Sequence, residues 1–392
     1  MPYIHRAITR ELFKAARAFA AVILTGPRRS GKTTLLRRVF PRASYYLLED
    51  PDTVARLRSD PRSFLDEVRL PVIFDEIQNV PEILNYVRSR IDQKPRKAGQ
   101  WLLTGSQEAP LMRGVTESMA GRAAVLQLLP FSSAEDTRVS VMRGGFPEVI
   151  ARPSASSLWF GSYVQTYLER DVRMISDIRD LATFRRFLSL LASRCGQMLN
   201  KTDLAAPLGV SVPTISQWLN ILETTGQILL IPPFYENFGK RLVKSPKLYF
   251  MDSGLACHLL GIGSKEELHR SPFRGPLFEA FVASEIVKQQ INEGRRKEIY
   301  YFRDHQGLEV DFVVPAGDRS LILLEAKASR TVTPAMAESL VRLKRAVRRY
   351  EVTGIVVHRR TPHGTTLAAI QPGVKAVAVD RLLSVIAPRR KR

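Results

Sequence analysis

An unbroken apolar run, Ala20-Ala21-Val22-Ile23-Leu24-Thr25, leads directly into Gly26-Pro27-Arg28-Arg29-Ser30-Gly31-Lys32-Thr33-Thr34, and few short strings restrict a fold as tightly. The spacing is G-x-x-x-x-G-K-[ST], filled by Gly26, Gly31, Lys32 and Thr33, and it needs a buried strand before it and a helix after it. Glycines let backbone N–H groups turn inward around a polyphosphate, Lys32 supplies positive charge between the outer phosphates, and Thr33 offers a hydroxyl to Mg²⁺. The segment Thr34-Leu35-Leu36-Arg37-Arg38-Val39 continues as a helix whose N-terminal dipole also favours phosphate. All nine residues from Gly26 to Thr34 are therefore expected to line a nucleotide, with ATP and Mg²⁺ as the cofactors.

A second strand, Pro71-Val72-Ile73-Phe74-Asp75-Glu76, ends in paired acids. Opposite a phosphate loop, Asp75 can hold the Mg²⁺ shell and Glu76 can polarise an attacking water. A third, Gln100-Trp101-Leu102-Leu103-Thr104-Gly105-Ser106, ends in hydroxyls, of which Ser106 is the candidate for sensing the outer phosphate. Arg122, in Met119-Ala120-Gly121-Arg122 just before the strand-like Ala124–Leu129, stands where ring-forming ATPases place an arginine that reaches a neighbour's nucleotide. Arg113 is the second choice.

The 392 residues suffice for two or three domains with proper cores. Lys and Arg number 59 against 38 Asp and Glu, a net charge of +21 that attracts polyanions, duplex or branched DNA first among them. A basic membrane-surface protein is the competing reading, but no amphipathic basic helix, lipidation signal or run of transmembrane length stands out. Cys195 and Cys257 are the only cysteines, which excludes a disulfide framework or a cysteine zinc site and fits a reducing cytoplasm.

Past Gly144-Gly145-Phe146-Pro147-Glu148, packing helices are expected over Tyr163–Val172 and Leu181–Ser193. Lys201–Leu219 then carries helix-turn-helix punctuation: Thr202 or Asp203 to cap a short helix, Gly209 for the turn, and Ser211 to start a second helix with Pro213 in its first turn. With Ile228–Ile231 and Lys247–Met251 as strands, a winged helix results. It would set Thr214, Ser216 and Gln217 toward a duplex groove and Lys240, Arg241 and Lys244 toward phosphates.

From Gly275 a separate α/β unit is expected, with a helix over Phe278–Val287, strands at Ile299–Arg303, Glu309–Val314, Leu321–Lys327 and Gly354–His358, and a helix from Pro334 to about Arg349. Side chains two apart in a strand share a face, so Glu325 and Lys327 point the same way, next to a strand bearing Asp311. Two carboxylates can hold a divalent metal and a lysine can orient water at a scissile phosphate; Glu279 or Glu285 on the preceding helix can complete the set. This constellation resembles the PD-(D/E)xK nuclease superfamily.

Taken in order, GPRRSGKTT, VIFDEIQ, LLTGSQ, AGR, GGFPE, YLERDV, YFMDSGL, EVDFVV and EAKAS resemble the AAA-type (AAA_14-like) ATPases with a C-terminal DUF4143 region. The resemblance implies an α/β multidomain chain: an AAA-type P-loop core over 1–140, a helical lid over 141–196, a winged helix over 197–268 and a restriction-endonuclease-like domain over 269–392. The expected function is an ATP-hydrolysing, DNA-associated motor acting as a homo-oligomeric ring such as a hexamer. An ATP-regulated metal-dependent nuclease and a nucleotide-switched DNA-binding protein are the alternatives.

Overall fold

The computed structural model describes residues 3–93, 97–105, 118–168, 181–234, 245–347, 349–360 and 367–386. These form two compact units. The first comprises Met1–Phe131 together with Thr224–Gly226 and Ile291–Arg296; the second holds the remainder.

Unit one is a parallel sheet of five strands: β1 (Ala21–Thr25), β2 (Ser44–Leu47), β3 (Val72–Asp75), β4 (Trp101–Thr104) and β5 (Ala123–Gln127). Their order is β2-β3-β4-β1-β5. Fully apolar strands suit a sheet buried on both faces. In β1, Ala21 and Ile23 enter one core with Phe74 and Trp101, whereas Val22 and Leu24 enter the other with Leu12, Leu35 and Leu128. The sheet's carboxyl edge, where parallel α/β sheets bind ligands, therefore gathers Gly26 after β1, Asp75 at the end of β3 and Thr104 at the end of β4. Asp50 and Asp60 cap the helices Pro51–Ser59 and Pro61–Glu67, each with proline in the first turn.

Unit two contains the two-stranded ribbon β6 (Ile228–Ile231) and β7 (Lys247–Phe250), and a six-stranded sheet. The sheet strands are β8 (Tyr300–Arg303), β9 (Glu309–Pro315), β10 (Ser320–Lys327), β11 (Glu351–His358), β12 (Leu367–Gln371) and β13 (Val374–Ala378), in the order β12-β13-β11-β10-β9-β8. The β8-β9-β10 half is antiparallel, and β10, β11 and β13 run parallel.

The helix-turn-helix punctuation forms the helices Lys201–Leu208 and Val212–Thr224, with Gly209 at φ 65° between them. The cap of the first differs from expectation: Asn200 Oδ1 accepts from the Thr202 and Asp203 N–H groups, at 3.1 and 3.4 Å, and neither Thr202 nor Asp203 caps it. Ser211 does cap the second, its Oγ accepting from Thr214 N–H at 3.2 Å.

The C-terminal sheet does not stand apart as a separate unit. The chain leaving β6 pairs with β8, with Phe234 N–H on the Tyr301 carbonyl at 2.7 Å and Tyr301 N–H on that of Pro232 at 3.1 Å. Edge strands rarely leave their backbone groups unpaired, and this pairing joins ribbon and sheet into one body.

Two sequence motifs close on each other in the same unit. Buried Asp252 caps the helix Ser253–Leu259 through Leu255 N–H at 3.0 Å and accepts from Gly145 N–H at 2.7 Å. A Cβ on Gly144 would stand 1.9 Å from Asp252 Oδ1, so any side chain there would break the junction.

Candidate active site

At the carboxyl edge of unit one, Gly26 adopts φ 141°, and a Cβ on it would lie 2.1 Å from the Leu128 carbonyl oxygen. Gly31 (φ 95°) and Arg29 (φ 62°) also take left-handed backbone, so the loop curls back on itself. Lys32 is 4% exposed, and its Nζ donates to the Gly26 and Pro27 carbonyls at 3.0 and 3.1 Å. Arg6 clamps the loop from behind. Its guanidinium donates to the Ser30 carbonyl at 2.9 Å and the Leu129 carbonyl at 2.6 Å and covers the Phe131 ring at 4.4 Å.

Asp75 is the hub. Its Oδ2 accepts from Thr33 Oγ1 at 2.7 Å and from the Tyr45 hydroxyl at 2.8 Å, and its Oδ1 accepts from Thr104 Oγ1. Burial and then the bond to Asp75 push the Tyr45 phenol well up, so it stays a donor. A hydroxyl and a carboxylate oxygen side by side fit the preference of a hard divalent cation for oxygen. Thr33 and Asp75 could hold Mg²⁺ with phosphate oxygens completing its shell.

Glu76 adopts φ 59°, ψ 49°, a left-handed conformation that costs a non-glycine residue on the order of 1–3 kcal/mol. Thr104 Oγ1 accepts from its N–H at 3.1 Å, Gln78 donates to its carboxylate, and Arg28 lies 3.9 Å from it. Arg28 is buried, with Glu49 at 3.5 Å as well. One of the two loop arginines thus faces the acid bearing the expected water-activating role, whereas Arg29 is exposed.

Arg122 lies at the amino end of β5, beyond the Ala21–Ala123 pair and hence at the opposite end of the sheet from Gly26. It makes a two-pronged ion pair with Asp92, Nε to Oδ1 at 2.6 Å and Nη2 to Oδ2 at 3.1 Å. Ser106 and Arg113 lie outside the described residues, as do Lys240, Arg241 and Lys244. Within the helix Val212–Thr224, Gln217 is exposed; Thr214 Oγ1 bonds Ser211 Oγ at 2.8 Å and Ser216 Oγ donates to the Val212 carbonyl at 3.0 Å.

A second polar cluster occupies unit two. The pairing of Leu324 with Phe312 sets Asp311 beside Glu325 across β9 and β10; Asp311 Oδ2 accepts from Ala326 N–H at 2.8 Å, and Lys327 Nζ donates to Glu325 at 2.6 Å. Glu279 joins them from the helix Arg274–Asn292 and accepts from the Tyr249 hydroxyl at 3.2 Å. Burial, then the charge of Asp311, raises the Glu279 and Glu325 carboxyls above the usual range.

Glu285 does not belong here. Six residues from Glu279 is about 240° around a helix, and Glu285 instead accepts from Ser133 N–H at 2.7 Å and lies 3.4 Å from Lys288. Sequence reasoning also missed Lys247. It is 3% exposed, its Nζ is 2.5 Å from Glu309 and 3.9 Å from Asp311, and it comes from β7. Burial alone would lower this ammonium, but Asp311, Glu279 and Glu309 outweigh that and raise it. Ammonium groups thus flank the acids, and among the described residues no three His, Cys, Asp or Glu side chains are arranged to hold a metal.

Family models match three stretches: an AAA domain over residues 18–136, a domain of unknown function (DUF8612) over 134–266 and another (DUF4143) over 274–366. An uncharacterised protein of Mycobacterium tuberculosis, Rv2008c, is 32% identical over 345 residues, 86% of this chain and 76% of its own. The chain belongs to the AAA-type ATPases with a C-terminal DUF4143 region. Mb2031c, an uncharacterised protein of Mycobacterium bovis, matches to the same extent. Among solved structures, the Walker-type ATPase PABY2304 of Pyrococcus abyssi is 17% identical, with 64% of this chain and 94% of that one covered at a TM-score of 0.39. Membership of this AAA-type family supports nucleotide binding and ATP hydrolysis, and the phosphate-loop crevice is where its AAA match and the loop geometry coincide. No helix among the described residues is long and apolar enough to cross a membrane.

Proposed function

We propose that the protein is an ATP-driven, DNA-associated machine that works as a homo-oligomer. The observation that carries this is the convergence of Lys32, Thr33, Asp75 and Glu76 at one sheet edge from two separate sequence segments. On nucleotide binding, Lys32 exchanges its two loop carbonyls for phosphate oxygens. Thr33 and Asp75 would hold Mg²⁺, which supplies charge neutralisation on the phosphates when bound. Glu76 orients the attacking water once its carboxylate turns from Arg28 and Gln78.

Arg122 cannot reach the crevice of its own subunit, because the five residues of β5 span about 16 Å. Released from Asp92, it would serve a neighbouring subunit, which makes assembly part of the reading. The DNA partner rests on the net charge of +21 and on the paired helices Lys201–Leu208 and Val212–Thr224, read as part of a winged helix.

ATP turnover measured with duplex and branched DNA over a range of salt tests the proposal. Stimulation that fades as salt rises, and that Lys32→Ala abolishes, is expected. Turnover indifferent to DNA at low salt would instead leave a nucleotide-operated switch, and no turnover with Mg²⁺ would end the ATPase reading.

A second reading, metal-dependent DNA cleavage, is favoured by the meeting of Glu279, Asp311, Glu325 and Lys327 as the nuclease-like pattern requires. Lys247 weighs against it, since its ammonium lies where positive charge beside Asp311 would be needed. Intact plasmid after incubation with Mn²⁺, identical for the parent and Asp311→Ala, would remove this reading.

A further inference from the structure

Beyond both sites, the carboxyl ends of the parallel strands β10, β11 and β13 open onto a cavity of about 580 Å³, a volume typical of small-ligand pockets. Ala328, Arg359 and Val379, each directly after one of these strands, reach its wall. Cations crowd it: Arg274, Arg359, Arg360, Arg381 and Lys265 all line the space, and among the described residues Asp380 is the one lining carboxylate. Asp380 is already engaged, 3.5 Å from Arg360. Apolar side chains line it too, among them Val139, Met142, Leu268 and Phe281.

Two features leave part of this positive charge uncompensated among the described residues. Arg274 donates through Nη2 to the Ala328 carbonyl, which leaves its Nε buried and without a partner among the described residues. A buried donor left unsatisfied in this way is costly. Arg359 is also loaded: burial first, then the neighbouring Arg274 and Arg330 charges, hold its guanidinium below its ordinary range. A planar fork of donors matches a phosphate better than it matches a single-point anion.

We propose that this cavity binds a nucleoside phosphate, with the phosphoryl group on Arg274 and Arg359 and the base against Met142, Leu268 and Phe281. The size of the space admits one nucleotide, and a lining that mixes guanidinium groups with apolar side chains suits a ligand that is anionic at one end and flat and apolar at the other. The same chemistry can arrive as a free mononucleotide or as the 5′-phosphorylated end of a strand. The site is independent of the ATP crevice.

The test uses the full chain carrying Lys32→Ala, so that phosphate-loop binding does not contribute. Calorimetry compares adenosine and thymidine 5′-monophosphates with their nucleosides, and a 5′-phosphorylated duplex with its 5′-hydroxyl counterpart. The phosphorylated member of at least one pair is expected to bind more tightly, and Arg359→Gln or Arg274→Gln to weaken that binding about tenfold, the loss of one charge-assisted contact. Preference among mononucleotides alone assigns the free ligand; preference at the duplex end assigns the strand. The proposal is overturned if phosphorylation makes no difference in either pair, or if both arginine variants melt like the parent and bind equally well.

Discussion

The phosphate-loop crevice and the carboxylate cluster of unit two are both buried polar sites at strand ends, yet they settle their charge in opposite ways. In the crevice, Lys32 rests on two carbonyls of its own loop, and Asp75 is met by three hydroxyls. Those are neutral partners that phosphate and metal can displace. In the cluster, the carboxylates of Asp311, Glu325 and Glu309 face the ammonium groups of Lys247 and Lys327. Burying an ion is tolerable when it is paired, so the second site is held by full charges, whereas in the first the carbonyls on Lys32 and the hydroxyls on Asp75 are dipoles. Neutral partners leave a site ready for a charged ligand; ionic partners make one that a cation must compete to enter.

Removing the internal cation is the strongest way to break this contrast. Lys247→Met should lower unfolding stability by about 3–5 kcal/mol, the penalty for stranding buried carboxylates. Denaturant melting of unit two reads it, and an unchanged midpoint would mean that the ammonium balances nothing. Added Mn²⁺ should recover part of that loss in the variant and little in the parent.

Next in size, Lys32→Ala should reduce kcat/KM for ATP by about 10³-fold, as expected for removing a fixed charge at developing negative charge. The fold should be kept, because the two carbonyls that Lys32 holds belong to its own loop. Stopped turnover together with a collapsed melting profile would show that Lys32 is structural instead.

A smaller change separates binding from chemistry. Glu76→Gln should cut kcat by about 10²-fold while ATP affinity stays near that of the parent. Equal loss of affinity would place Glu76 among the nucleotide ligands and not beside the water. Last, Arg122→Ala should lower turnover in assembled protein and leave dilute, unassembled protein unaffected. A concentration-independent effect would argue for a role within one subunit.

How much of this could be read beforehand depended on chain separation. Gly26 to Thr34 were legible because strand, loop and helix follow one another, so local backbone requirements alone fix their geometry. Asp75 and Glu76 were legible because a short apolar strand ending in two acids has few uses beside such a loop. Arg6 was not, since a lone arginine in a basic N-terminus gives no sign that it holds the Ser30 and Leu129 carbonyls. Thr104 reaches Asp75 only because β4 lies between β1 and β3 in the sheet. Of the two acids offered on the helix Arg274–Asn292, both had suitable chemistry, and only the helix's rotation against β9 selected Glu279 over Glu285.

The amino-acid sequence by itself determined the nucleotide loop, its acidic strand, the AAA-type and DUF4143 family and the basic character of the chain, because each is written in contiguous residues or in bulk composition. Tertiary structure decided which distant side chains answer which charges: Arg6 behind the loop, Lys247 among the carboxylates, and the arginines gathered at the ends of β10, β11 and β13. Electrostatic pairing acts through space and weakens with distance, so its partners are fixed by packing and not by position along the chain.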